Sequence, residues 1–256
     1  VSTIDAGIHR VAGVLLPPRA DVEYVVVHQY RDARHLALPD ALRRPDVHVH
    51  AVQGRGLARS RNLALASASG DIGLVADDDV RYRDEYIDRV RDTFLADDSL
   101  DVAFFQIRTP PGQPAYKEYG PTEATVGPGY PGSSIEIACR MASIRSHGLG
   151  FDERFGLGSP RLVGGEERVF VSDCVRAGLR VRYFPHVVVE HPYESGGREV
   201  SRFDPRRNRV VGACDARIDG AAVAVARAFA GAVKHAVPLV RQRRSPVAYL
   251  GERLSG

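Results

Sequence analysis

Over its first 191 residues the chain alternates between two hydrophobic periods. Nearly continuous, β-branched apolar runs occur at "VEYVVVHQ" (22–29), "IGLVA" (72–76), "DVAFFQIRT" (101–109) and "LRVRYFPHVVVEH" (179–191). Runs of this kind suit strands buried on both faces. "VSTI" (1–4) reads as a short opening strand, "VHVHAV" (47–52) as another by its alternation, and "SSIEIACRMASI" (133–144) as a resumed strand. Between them lie segments of helical period: "GIHRVAGVLL" (7–16), stopped by Pro17-Pro18; "GLARSRNLALASAS" (56–69), closed by Gly70; and "DEYIDRVRDTFLA" (84–96). A further helix is expected to open near Glu166, after a glycine-rich turn.

Strands alternating with helices predict an α/β fold with a mostly parallel central sheet and helices on both faces. Ligands of such sheets bind outside the carboxyl ends of the strands. Residues 110–132 interrupt the pattern with dense Pro and Gly and predict a long irregular loop. After residue 191 the character changes again. "PYESGGREVSRFDPRRNR" (192–209) is polar, basic and expected to be flexible, and residues 219–240 form an Ala/Val-rich helical stretch followed by "RQRR". Two readings fit that tail: a helix packing back on the domain, or an amphipathic helix on a membrane with its arginines at lipid phosphates.

Composition adds the setting. The 256 residues are 44% hydrophobic and 26% charged, ordinary for a soluble globular chain. The net charge of +3 is uneven: residues 192–256 hold twelve Arg/Lys against six Asp/Glu. That excess could meet phosphate groups or an anionic membrane. Cys139, Cys174 and Cys214 are odd in number and far apart, which argues against a disulfide framework or a thiolate zinc site and for a reducing, cytoplasmic compartment. The amino end lacks the basic-then-apolar pattern of a signal peptide, and no apolar run reaches the roughly 18 residues of a spanning helix.

The chemistry is concentrated in three places. "IGLVADDD" puts Asp77, Asp78 and Asp79 at the carboxyl end of a buried strand, where three like charges repel unless a cation sits among them. Alternate residues of an extended segment share a side, so Asp77 and Asp79 can converge on Mg²⁺ or Mn²⁺, which take hard oxygen ligands. A phosphatase of the Asp-x-Asp-x-Thr/Val type is disfavoured by Arg81 at the fifth position, and no Walker loop exists. "GRGLARSRN" (54–62) places Arg55, Arg59 and Arg61 at a helix start, a suitable setting for diphosphate or for a solvated basic face. "GGEERVF" (164–170) puts Glu166 and Glu167 in the first turn of a helix, as dipole partners or as a general base.

In consistent order, "GRGLARSRNLALASASGDIGLVADDD", "FDERFG", "GGEE" and "GLRVRYFPHVVVEH" resemble a family 2 glycosyltransferase of the GT-A fold, over about residues 1–191. The resemblance implies an inverting, metal-dependent transferase with a nucleotide-sugar half over about 1–109 and an acceptor half over about 133–191. It implies metal contact from Asp79, with Asp77 and Asp78 near nucleotide or cation. The family's second acidic residue in the "ED" segment falls on Glu167, implying the base, with Glu166 in reserve. The family's usual opening, an apolar strand ending in Pro-Thr-Tyr-Asn, is replaced by "VSTIDAG", and its acidic residue after the second strand by His28-Gln29. Thr3, Asp5 and Gln29 occupy the strand ends where the nucleoside would be met, Arg55 and Arg61 lie toward the diphosphate, and His191 matches a metal or phosphate contact of some relatives. Expected partners are a nucleotide sugar, UDP-linked by preference, and a saccharide or lipid-linked acceptor, with possible membrane contact through the basic tail and no nucleic acid. A nucleotidyltransferase of similar fold and a catalytically degenerate nucleotide-sugar-binding partner are the alternatives.

Overall fold

Strand β5 shows how the sheet is built. Its residues Val102–Arg108 alternate sides, with Val102 and Phe104 in one buried cluster and Ala103, Phe105 and Ile107 in another. Both sides are apolar because helices cover both. In the computed structural model, which describes residues 1–193 and 203–256, the first cluster is closed by α1 (Leu57–Ser67) and α4 (Glu166–Arg176), and the second by α2 (Asp84–Leu95).

β1 (Ser2–Ile4), β2 (Tyr24–Tyr30) and β3 (Val47–Gln53) form a parallel sheet in the order β1-β2-β3. The second sheet is mixed, in the order β4-β7-β5-β8-β6, from β4 (Ile72–Leu74), β6 (Ala124–Thr125), β7 (Ile137–Arg140) and β8 (Val181–Glu190) with β5. The Ser2 amide donates to the Ala76 carbonyl at 3.0 Å and joins the two sheets side by side.

Three segments differ from expectation. Residues 7–16 form no continuous α-helix but 3-10 turns at Asp5–His9 and Val11–Gly13, which still bury Ile8, Val11 and Val14. Their spacing serves either helix type, so the pattern alone could not separate them. The expected strand at 133–144 is a 3-10 turn closed by a Ser133–Glu136 capping box, then β7, then the short helix α3 (Met141–Ser146). β7 runs antiparallel to both β4 and β5, so the sheet is less parallel than predicted. Loop 110–132 carries β6 and is held by Lys117 and Tyr119, which donate to the buried Glu136 carboxylate at 2.8 and 2.6 Å.

Where it is described, the basic segment enters a helix at Pro205. Asp204 caps α5 (Pro205–Asp219) by accepting from the Arg206 amide, and Pro205 takes the first helical turn. The expected flexibility of 194–202 lies outside the described residues. α5 packs on α4 through Phe155, Val169, Val210, Ala213, Cys214 and Ile218. α6 (Ala221–Lys234), α7 (Ala236–Arg241) and α8 (Pro246–Leu254) follow. Buried Asp215 of α5 ties this unit together, accepting from Arg168 of α4, Arg227 of α6 and Arg253 of α8. Among the described residues no helix is long and apolar enough to cross a membrane.

Candidate functional site

Past β4 the chain runs parallel to β1, with Asp77 beside Ser2, and the three aspartates follow, each in a different environment. Asp78 points inward. Its Oδ2 accepts from Thr3 Oγ1 at 2.5 Å and its Oδ1 from Arg10 Nη2 at 2.7 Å. Burial pushes its pKa up, against the pull of Thr3 and Arg10. Gly7 is required for this approach, because a Cβ there would lie 2.2 Å from Asp78 Oδ2 and 2.6 Å from Thr3 Oγ1.

Asp77 and the two glutamates meet at one buried guanidinium. Arg61, 3% exposed, donates to Asp77 Oδ1 at 3.1 Å, Glu166 Oε1 at 2.9 Å and Ser134 Oγ at 2.6 Å, and stands 3.8 Å from Glu167 Oε1. It also lies 5.4 Å from the centre of the Phe151 ring. Burial alone would lower its pKa, but Asp77, Glu167 and Glu166 reverse that and raise it.

Gly165, with φ of 89°, caps α4 and turns the chain so that both glutamates enter the first helical turn. A Cβ on Gly165 would meet Cys214 Sγ of α5 at 2.5 Å. The tail helix therefore backs the turn that aims these side chains. The Glu166 side chain is 3% exposed and that of Glu167 22%. Burial, then the Glu166 charge, pushes Glu167 up to about 7.

β8 supplies the opposite wall. Arg81 and Glu190 exchange backbone hydrogen bonds of 2.8 and 2.9 Å, which sets His191 beside Asp79. His191 Nε2 lies 3.3 Å from Asp79 Oδ1, an ion-pair distance without the alignment of a hydrogen bond. Contact with His191 holds Asp79 below the usual carboxylate range. Burial would lower His191, but Asp79 overrides it and the net shift is upward. His191 Nδ1 faces the Pro192 carbonyl at 2.6 Å and donates there, so Nε2 is the nitrogen that faces Asp79.

The other candidates divide. Gln29 directs its whole amide at Gly56, donating to the carbonyl at 3.1 Å and accepting from the amide at 3.0 Å, and so pins the loop before α1. Asp5, at φ 49°, accepts from the Arg31 backbone amide at 2.9 Å and from Arg31 Nε at 2.6 Å. That amide is the main reason its pKa lies low. Thr3 reaches the aspartates through Asp78, whereas Arg55 is exposed and has no side-chain hydrogen bond or ion pair among the described residues. Asn62, on the same helix side as Arg59, clips the Phe151 backbone with bonds of 2.9 and 2.7 Å. Sequence reasoning missed Arg10, Arg31 and Ser134. No spacing signals Arg10, and Ser134 was hidden inside an expected strand.

Among the described residues no group of three or more His, Cys, Asp or Glu side chains converges to hold a metal. A divalent ion that arrives with diphosphate needs fewer protein ligands, commonly one or two carboxylates. Asp79 Oδ1, buried without a hydrogen-bond partner, and the adjacent His191 Nε2 fit that smaller requirement. Asp77, expected beside them, is instead engaged by Arg61.

Residues 3–141, more than half the chain, match the family described as Glycosyl transferase family 2. No curated protein matches in sequence. Among solved structures, S. aureus TarS 1–349 superposes with a TM-score of 0.57 at 15% identity, over 84% of this chain and 63% of that one. The same protein in complex with UDP-GlcNAc gives 0.54 at 16% identity, over 84% and 65%. A mycobacterial protein gives 0.53 at 15% identity, over 85% and 73%. The chain thus spans less than two thirds of the TarS fragment, and at these identities the likeness establishes the GT-A-like fold alone.

Proposed function

We propose that this chain, which belongs to glycosyl transferase family 2 and has a GT-A-like fold, moves a sugar from a nucleotide-sugar donor to an acceptor hydroxyl with inversion at the anomeric carbon. One observation supports this reading: Arg61 joins Asp77, the first of the strand-end aspartates, to Glu166 and lies beside Glu167. Donor and base chemistry would thereby be neighbours. The structures of TarS with UDP and with UDP-GlcNAc favour a UDP-linked donor here.

The nucleoside lies along the ends of β1 and β2, near Thr3, Asp5 and the loop that Gln29 pins. Asp79 and His191 would hold Mg²⁺ or Mn²⁺, and the ion would supply charge neutralisation at the leaving diphosphate. Arg61 keeps Asp77 and Glu166 in place and leaves the less buried Glu167 to take the proton from the attacking hydroxyl. The hydroxyl oxygen bonds to the anomeric carbon as the bond to the diphosphate oxygen breaks on the opposite side. The acceptor is a saccharide or a lipid-linked saccharide, and polysaccharide or glycoconjugate assembly in the cytoplasm is the setting.

NMR of the product tests the stereochemistry. An α-linked nucleotide sugar is expected to give a β-linked product, and a retained α-linkage would overturn the inverting reading. A pH profile tests the base. With Glu167 pushed up to about 7, it is protonated and inactive below neutrality. kcat/KM is therefore expected to fall about tenfold per pH unit below that point and to level off above it. A profile flat from pH 5 to 8, as an order-of-magnitude window around the ordinary and raised values, would remove Glu167 from this role.

A further inference from the structure

We propose that the outer face of α6 and α7 docks on an anionic lipid surface. Of the thirteen large apolar side chains exposed among the described residues, eight fall within 223–254. Val225, Phe229 and Val233 are spaced by four and share one side of α6, with Phe229 at 52% exposure and Val233 at 78%. Val237 and Val240 extend exposed apolar surface into α7. The inner side of the unit is already occupied: Ala224 and Ala228 are buried, and Leu239 and Tyr249 pack with Phe203. The outer stripe is thus a second apolar face, without cover among the described residues.

Charge identifies the occupant. From Gly220 to Gly251 there is no Asp or Glu, while Arg227, Lys234, Arg241, Arg243 and Arg244 all lie in that span. Arg227 is paired with Asp215 and Asp219, and Arg244 with Glu252. Lys234, Arg241 and Arg243 are exposed and form no ion pair among the described residues. A second copy of the chain meeting this face symmetrically would bring cations against cations with no carboxylate between them. A bilayer with anionic headgroups supplies both missing complements, an apolar layer for Phe229 and the valines and negative charge for the arginines. Helices of this length lie on such a surface and do not cross it.

The test is cosedimentation of the full chain with vesicles of equal parts phosphatidylcholine and phosphatidylglycerol, and with phosphatidylcholine alone. Binding is expected to the first and not the second. Removing two cations in Arg241→Ala/Arg243→Ala is expected to lower partitioning about thirtyfold. Phe229→Ser/Val233→Ser is expected to lower it about tenfold or more. All four side chains are exposed, so the variants are expected to keep a cooperative unfolding transition with only a small change in midpoint, and loss of fold is distinguishable. No sedimentation with the anionic vesicles, or equal sedimentation of wild type and both variants, overturns the proposal. So does an oligomer in sedimentation velocity that Phe229→Ser/Val233→Ser dissolves while vesicle binding persists, since the face would then join copies of the chain. Neither donor nor acceptor is present in this measurement, so its failure leaves the transfer reading intact.

Discussion

Arg61→Met is expected to abolish transfer and to lower the stability of the fold by about 3–5 kcal/mol. The substitution keeps much of the apolar stem but removes the charge on which Asp77, Glu166 and Glu167 converge. Glu166 would then be a buried carboxylate facing a second carboxylate, with Ser134 Oγ also losing its donor. Breaking a buried pair by removing one partner costs more than the pair contributes, because the charge left behind stays desolvated. Arg61→Lys restores the charge but gathers its donors on one nitrogen, without the planar fork that spans Glu166 on one side and Asp77 and Ser134 on the other. It should therefore recover stability in part and transfer little. Urea denaturation and nucleotide release check both variants. A wild-type midpoint in Arg61→Met would mean that the carboxylates do not depend on Arg61, and the account of the site would fail.

Glu167→Gln is expected to leave donor binding within about twofold of wild type and to cut kcat by about 10²–10⁴. Gln cannot take a proton, yet it has nearly the shape of Glu and does not disturb the Arg61 contacts to Asp77 and Glu166. The matching Glu166→Gln keeps an oxygen to accept from Arg61 and should act mainly on stability. The exposure difference underlies this division, because an acceptor hydroxyl can reach Glu167 but not the enclosed Glu166. Single-turnover kinetics on both variants separate the roles. If Glu166→Gln loses transfer and Glu167→Gln retains it, the base is Glu166.

The aspartates were legible because a continuous apolar run followed by charge marks a strand end in any parallel sheet, and ligands gather there. Arg61 was legible only in part. Helical phase separates it from Arg59 and Asn62, but its partners Asp77, Ser134 and Glu166 lie 16, 73 and 105 residues away in the chain. No local pattern reports such contacts, and Arg61 was accordingly placed toward diphosphate when its donors face carboxylates. Gln29 was legible to the same degree, since a strand end shows where a side chain emerges and not that Gly56 will engage it. The two helix errors have local causes. The Asp204-Pro205 start of α5 carries a cap and a first-turn proline, yet the surrounding arginines read as a solvated linker. At 133–144 the Ser133–Glu136 box was present, but β-branched neighbours drew the reading toward one strand.

The strand-end aspartates are expected to receive a nucleotide sugar together with a divalent cation. Calorimetric titration with UDP, GDP and dTDP, each with and without Mn²⁺, tests it most directly, with Asp79→Ala alongside wild type. Metal-dependent binding of one nucleotide, UDP by preference, is expected, with loss of the metal dependence in Asp79→Ala. Binding of none of the three, or equal binding by Asp79→Ala in Mn²⁺, would contradict it.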